Sequence, residues 1–91
     1  MIIARRYFVS GLVQGVGFRF FTQRAAAGHQ VVGMVRNLKD GRVEVIVEGS
    51  EQAVKNFYTD LLGGPSYSRV EDIEEIVMEP RGEFKAFLVE R

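Results

Sequence analysis

The 91-residue chain has no cysteine and a single histidine, His29. Without cysteine, neither a disulfide framework nor a thiolate metal site can form. No cluster of histidine and carboxylates has metal-ligand spacing, so no metal is expected. Long apolar runs are also lacking. None approaches the ~20 residues that span a bilayer, and a membrane partner is not expected. The opening Met1-Ile2-Ile3-Ala4-Arg5-Arg6 puts its charges after a short apolar stretch, the reverse of a signal peptide, and cytoplasmic residence is the expectation. An excess of either charge is missing too: 12 basic and 12 acidic residues give a net charge of +0. A general attraction to nucleic acid or anionic lipid is therefore not expected. Any anion must be bound by a local device.

What is present suits one small domain over residues 1–91. The 46% of hydrophobic residues can build one core. Residues 3–13 read as a strand, with Tyr7, Val9 and Val13 alternating against Phe8, Ser10 and Leu12. Gly15 and Gly17 break it. A helix is expected over residues 18–27, with Phe18, Phe21 and Ala25 on one face and Gly28 as its stop. Residues 30–38 and 42–49 read as strands. The second alternates Val43, Val45 and Val47 with Glu44 and Glu48, and Asp40-Gly41 between them signals a hairpin. Ser50 suits an N-cap, and Val54, Phe57, Tyr58, Leu61 and Leu62 then form the apolar stripe of an amphipathic helix ended by Gly63-Gly64-Pro65. Residues 70–78 and 84–89 read as strands around Pro80-Arg81-Gly82.

The order β-α-β-β-α-β with a final extra strand predicts an α+β, ferredoxin-like fold. Two helices pack on one face of an antiparallel sheet of four to five strands. In this arrangement the first two strands run parallel with the third between them. The loop after strand one and the end of strand two then emerge at the same edge, about two strand spacings or roughly 10 Å apart. Arg19 and Asn37 lie at those two places.

The segment Gln14-Gly15-Val16-Gly17-Phe18-Arg19 joins a strand to a helix through a glycine-containing loop. Successive N–H groups in such a loop, with those of the helix's first turn, can converge on an anion. Arg19 can close on a phosphate with a planar fork. The plain alternative is a tight turn followed by a surface arginine. The segment is neither a Walker loop, which ends Gly-Lys-Ser/Thr, nor a dinucleotide fingerprint, which needs a third glycine.

Gly11-Leu12-Val13-Gln14-Gly15-Val16-Gly17-Phe18-Arg19 resembles the first acylphosphatase signature, and Gly33-Met34-Val35-Arg36-Asn37 resembles the second. The later Gly41-Arg42-Val43-Glu44, Gly64-Pro65 and Ser68-Arg69-Val70 are similar to the same family, so the resemblance covers essentially the whole chain. Met34 stands where the family commonly has tryptophan. The resemblance implies hydrolysis of acyl phosphates such as acetyl phosphate, carbamoyl phosphate and 1,3-bisphosphoglycerate, without metal or cofactor. It implies that the loop from Gln14 through Gly15, Val16, Gly17 and Phe18 to Arg19 cradles the phosphate, and that Asn37 holds the attacking water. The expected partner is a small-molecule substrate, with inorganic phosphate or sulfate competing, and the expected state is a monomer.

The rest of the inventory fits a reaction with no strong base. His29 follows the expected helix stop and reads as a solvated loop residue; Glu71, Asp72, Glu74 and Glu75 read as a solvated strand face. Three other readings share the fold. An RNA-binding module would need its aromatic motif on strand three, whereas Val16-Gly17-Phe18-Arg19-Phe20 follows strand one. A regulatory small-ligand domain, or the acylphosphatase-like module that opens larger carbamoyl-transfer proteins, would be attached to further chain.

Overall fold

The computed structural model describes residues 1–91. In chain order it contains β1 (Ile2–Leu12), α1 (Phe18–His29), β2 (Val32–Asn37), β3 (Val43–Ser50), α2 (Glu51–Gly63), β4 (Arg69–Met78) and β5 (Phe87–Val89). The sheet order is β4-β1-β3-β2-β5. β3 pairs antiparallel with both β1 and β2, so those two are parallel, as the ferredoxin-like expectation requires. β4 adds to the outer side of β1, also antiparallel.

The expectation of a wholly antiparallel sheet is corrected at β5, which pairs parallel with β2. The cause is topological. β4 and β5 occupy opposite edges, and residues 79–86 connect them along the end of the sheet where β4 finishes. There the Arg81 and Gly82 N–H groups donate to the Glu48 carboxylate at 2.8 and 3.0 Å. A chain that crosses at one end must leave in the direction opposite to β4, which is the direction of β2. The C-terminal end of β5 therefore arrives beside the ends of β1 and β2.

The core lies between the helices and one face of the sheet. Tyr7 and Val9 of β1, Val35 of β2 and Val43, Val45 and Val47 of β3 meet Phe18 and Ala26 of α1 and Val54, Phe57 and Leu61 of α2. Each of these apolar side chains removed from water contributes about 1.5–3 kcal/mol. Ser50 caps α2, its Oγ accepting from the Ala53 N–H at 3.2 Å. Leu62, expected in the apolar stripe, is instead exposed at the end of α2. No helix is long and apolar enough to cross a membrane.

Three local expectations change. The buried face of α1 is Phe18, Thr22 and Ala26, at strict four-residue spacing, while Phe21 and Ala25 flank it. Thr22 is tolerated there because its hydroxyl donates to the Phe18 carbonyl at 2.8 Å. α1 passes through Gly28 and ends at Gln30, in the left-handed conformation with φ 59°, whose N–H reaches the Ala26 and Ala27 carbonyls. His29 is then the last helical residue, half-buried, with Nε2 2.7 Å from Asp60 Oδ2 of α2. It ties the two helices together. Glu44, which alternates with the core valines, is buried on the helix-free side of β3, between Arg6 of β1 and Arg36 of β2. Glu71, Asp72, Glu74 and Glu75 are exposed on the edge strand β4, as expected.

Candidate active site

The loop between β1 and α1 is shaped by two glycines. Gly15 and Gly17 have φ of 76° and 79°, a region that favours glycine, and a side chain at either would meet open space. Backbone conformation, rather than room, requires glycine there. Gly17 also stands at the N-cap of α1 and makes no side-chain cap. The first helical bond is Phe21 N–H to the Gly17 carbonyl, 3.0 Å. The N–H groups of Gly17, Phe18, Arg19 and Phe20 thus have no intrahelical acceptor, and no acidic side chain lies in the first turn. The positive end of the helix dipole is left uncompensated by the protein.

Gln14 braces this loop from behind. Its Nε2 donates to the Leu38 carbonyl at 2.7 Å and to the Arg42 carbonyl at 2.9 Å. Those carbonyls close the β2–β3 hairpin, so one amide couples the loop to the end of the strand that carries Asn37. Within the hairpin, hydrogen bonds from the Arg42 backbone and then its side chain hold the Asp40 carboxyl below the usual carboxylate range.

The loop, α1 and β2 enclose a cavity of about 140 Å³ lined by Val13, Gly15, Gly17, Phe18, Phe20, Arg19 and Asn37. The structure therefore brings Gly15, Gly17, Phe18, Arg19 and Asn37 together. Gln14 and Val16 do not line it: Gln14 acts through the brace, and Val16 packs against the core. Arg19 is half-buried, and none of the seven salt bridges involves it. Its Nη1 donates instead to the Glu90 carbonyl, 3.0 Å away. Asn37 Oδ1 is buried and has no hydrogen-bond partner.

Two contributors were not visible in the sequence. The Glu90 carbonyl is main chain and carries no side-chain signal. It is fixed by a second bond, from the Glu90 N–H to the Val35 carbonyl at 2.8 Å, which continues the β2–β5 pairing. Phe20 was weighed only within the RNA-recognition fragment, yet it is 66% exposed and lines the cavity beside Arg19. An aromatic at the helix start that falls outside the expected apolar stripe of Phe18, Phe21 and Ala25 is the signal that could have found it.

The acylphosphatase family model matches residues 5–89. The chain belongs to the acylphosphatase family. The acylphosphatase of Koribacter versatilis (strain Ellin345) is 45% identical over 86 residues, covering 94% of this chain and 78% of that one. The crystal structure of acylphosphatase from Bacillus subtilis superposes with a TM-score of 0.94 at 36% identity, covering both chains fully. Full-length HypF, in a phosphate- and nucleotide-bound form, contains a similar fold: TM-score 0.88 and 30% identity, covering all of this chain and 12% of HypF. This acylphosphatase-family chain is accordingly an enzyme with the family's ferredoxin-like architecture. The Val16–Phe20 segment, weighed above as an RNA-recognition motif, lies in the β1–α1 loop and the start of α1 rather than on the sheet.

Proposed function

We propose that the chain hydrolyses acyl phosphates to carboxylate and inorganic phosphate by in-line attack of water, with Arg19 and the 14–19 loop holding the phosphate and Asn37 placing the water. The observation that carries this reading is the pairing, in one cavity, of an arginine without a carboxylate partner and an amide oxygen buried without a donor. An unsatisfied buried acceptor costs about 1–3 kcal/mol. A water donating to Asn37 Oδ1 relieves that cost and is oriented by doing so.

The phosphate dianion accepts from the free N–H groups at the start of α1 and from the Arg19 fork, which offset charge on its equatorial oxygens. The Glu90 carbonyl pins one end of that fork. As the water oxygen bonds to phosphorus, the bond from phosphorus to the acyl oxygen breaks and the carboxylate leaves with the electron pair. The water proton passes to a phosphate oxygen. A carboxylate is a good leaving group, so neither a strong base nor a covalent nucleophile is needed. Positioning and charge stabilisation suffice for a loose phosphoryl transition state, and neither metal nor cofactor has a part in this reading. The reading further takes the chain as one domain over residues 1–91, acting as a cytoplasmic monomer, with phosphate and sulfate as competing anions.

Release of inorganic phosphate from benzoyl phosphate, set against a phosphate monoester, tests the reaction. Hydrolysis of the acyl phosphate with the monoester untouched supports it. Equal rates, or none, would refute it.

A further inference from the structure

A second, larger cavity of about 760 Å³ adjoins the first and shares Arg19, Phe20 and Asn37 with it. Its remaining apolar lining is Phe87, Leu88 and Val89 of β5. Cavities of this size and character commonly take small organic ligands.

The wall is held in place by α1. Gln23 Nε2 reaches the Phe87 carbonyl at 3.4 Å, and the Phe87 ring rests on Phe57 of the core with centroids 5.8 Å apart. Phe20 forms the opposite side. Successive helical residues point about 100° apart, so while the Phe18 ring enters the core, 1% exposed, Phe20 stands in solvent at 66%. Arg19 lies between them in sequence and reaches both cavities. An exposed Phe20 ring adds nothing to the core. Set beside an exposed Leu88 across a cavity that also holds the catalytic pair, it has the form of a binding wall.

We propose that this second cavity takes the acyl group of the substrate, and that Phe20 makes the site favour apolar, aryl-sized acyl groups over small ones. The proposal rests on the reading in which the phosphate occupies the smaller cavity. With phosphorus there and the water at Asn37 on one side of it, the acyl oxygen departs in line on the opposite side, past Arg19 and into the space between Phe20 and β5. A planar aryl group then lies against the Phe20 ring. A methyl group cannot reach across that space and gains little. The competing occupant is an anionic acyl group, drawn by Arg91, which lines the same cavity.

The test compares kcat/KM for benzoyl phosphate and acetyl phosphate in the parent, Phe20→Ala and Phe20→Tyr, with the melting temperature and inhibition by inorganic phosphate measured on each. The parent should prefer benzoyl phosphate. Phe20→Ala should lower the benzoyl-to-acetyl ratio about three- to tenfold, the effect of losing one aromatic pair. Phe20→Tyr should restore the ratio, with phosphate inhibition and melting temperature as in the parent. An unchanged ratio in Phe20→Ala, with phosphate inhibition intact, would overturn the acyl wall alone. A parent that hydrolyses neither compound, or that phosphate does not inhibit, would overturn the underlying reading and the wall with it.

Discussion

Arg19 Nη1 donates to the Glu90 main-chain carbonyl at 3.0 Å, joining the first turn of α1 to the segment that follows β5. One nitrogen of the guanidinium is thereby fixed by the fold, and the rest of the fork is free to face a ligand. Arg19→Ala should lose activity and bind phosphate weakly while melting close to the parent, because the side chain is half-buried and outside the core. Arg19→Lys should recover little, since an ammonium cannot hold the carbonyl and fork a phosphate together. Steady-state kinetics and phosphate inhibition on both variants check this; near-full activity in the lysine variant would contradict it.

Gln14→Ala removes both hydrogen bonds from the loop to the β2–β3 hairpin. The expected cost is about 1–3 kcal/mol of stability. Phosphate should also bind more weakly, because the loop is no longer held against the end of β2. Thermal melts and phosphate inhibition measure the two effects. A variant with the parent's stability and phosphate affinity would show that the brace is idle.

Burial, reinforced by the nearby Glu75 carboxylate, pushes the Tyr7 phenol well above its ordinary range. The unfolded chain then releases this proton near pH ~10 while the folded chain keeps it. Above that pH the unfolded state binds fewer protons, so stability falls as pH rises, by up to about 1.4 kcal/mol per unit. Below pH ~10 the group contributes no pH dependence. Tyr7→Phe should therefore flatten the loss of melting temperature between pH 10 and 12. The same slope in parent and variant would contradict this.

His29 bridges α1 to α2 through Asp60 at the end of α1 remote from Arg19, ten residues or about 15 Å along the helix. Both side chains are partly solvated, so His29→Ala should cost no more than about 1 kcal/mol. Its kcat should equal the parent's. A large fall in kcat at constant stability would place His29 in the reaction.

The elements with a clean period were legible in the sequence. The valine–glutamate alternation of β3 and the apolar stripe of α2 each turn an apolar face to the one core between the helices and the sheet. The glycines and the arginine alone left a tight turn with a surface cation as an open reading, and it was the resemblance of the segments around Arg19 and Asn37 to the two acylphosphatase signatures that implied a site there. What escaped was decided by contacts between distant segments. β5 runs parallel to β2 because residues 79–86 cross one end of the sheet, and no local pattern encodes that crossing. The burial of Glu44 depends on arginines from two other strands, Arg6 and Arg36, which the alternation of β3 does not reveal. His29 reads as a loop residue because Gly28 looks like a stop, whereas Gln30 takes the left-handed position. The Glu90 carbonyl reaches the site only through the β5 crossing.

The most direct test of the account is the kcat of Asn37→Ala on benzoyl phosphate, read beside its inhibition by inorganic phosphate and its melting temperature. Asn37 carries no charge and adds little to holding a dianion. Its Oδ1 is buried and unpartnered, and in the proposed function it orients the attacking water on the way to the transition state. Removing such an interaction lowers kcat by about 10²–10³ while leaving ground-state binding largely intact. Asn37→Ala should be a stable protein that binds phosphate like the parent and is nearly inactive. A variant that melts lower, yet retains the specific activity of the parent, would show that Asn37 only finishes β2 and would contradict the water-placing role.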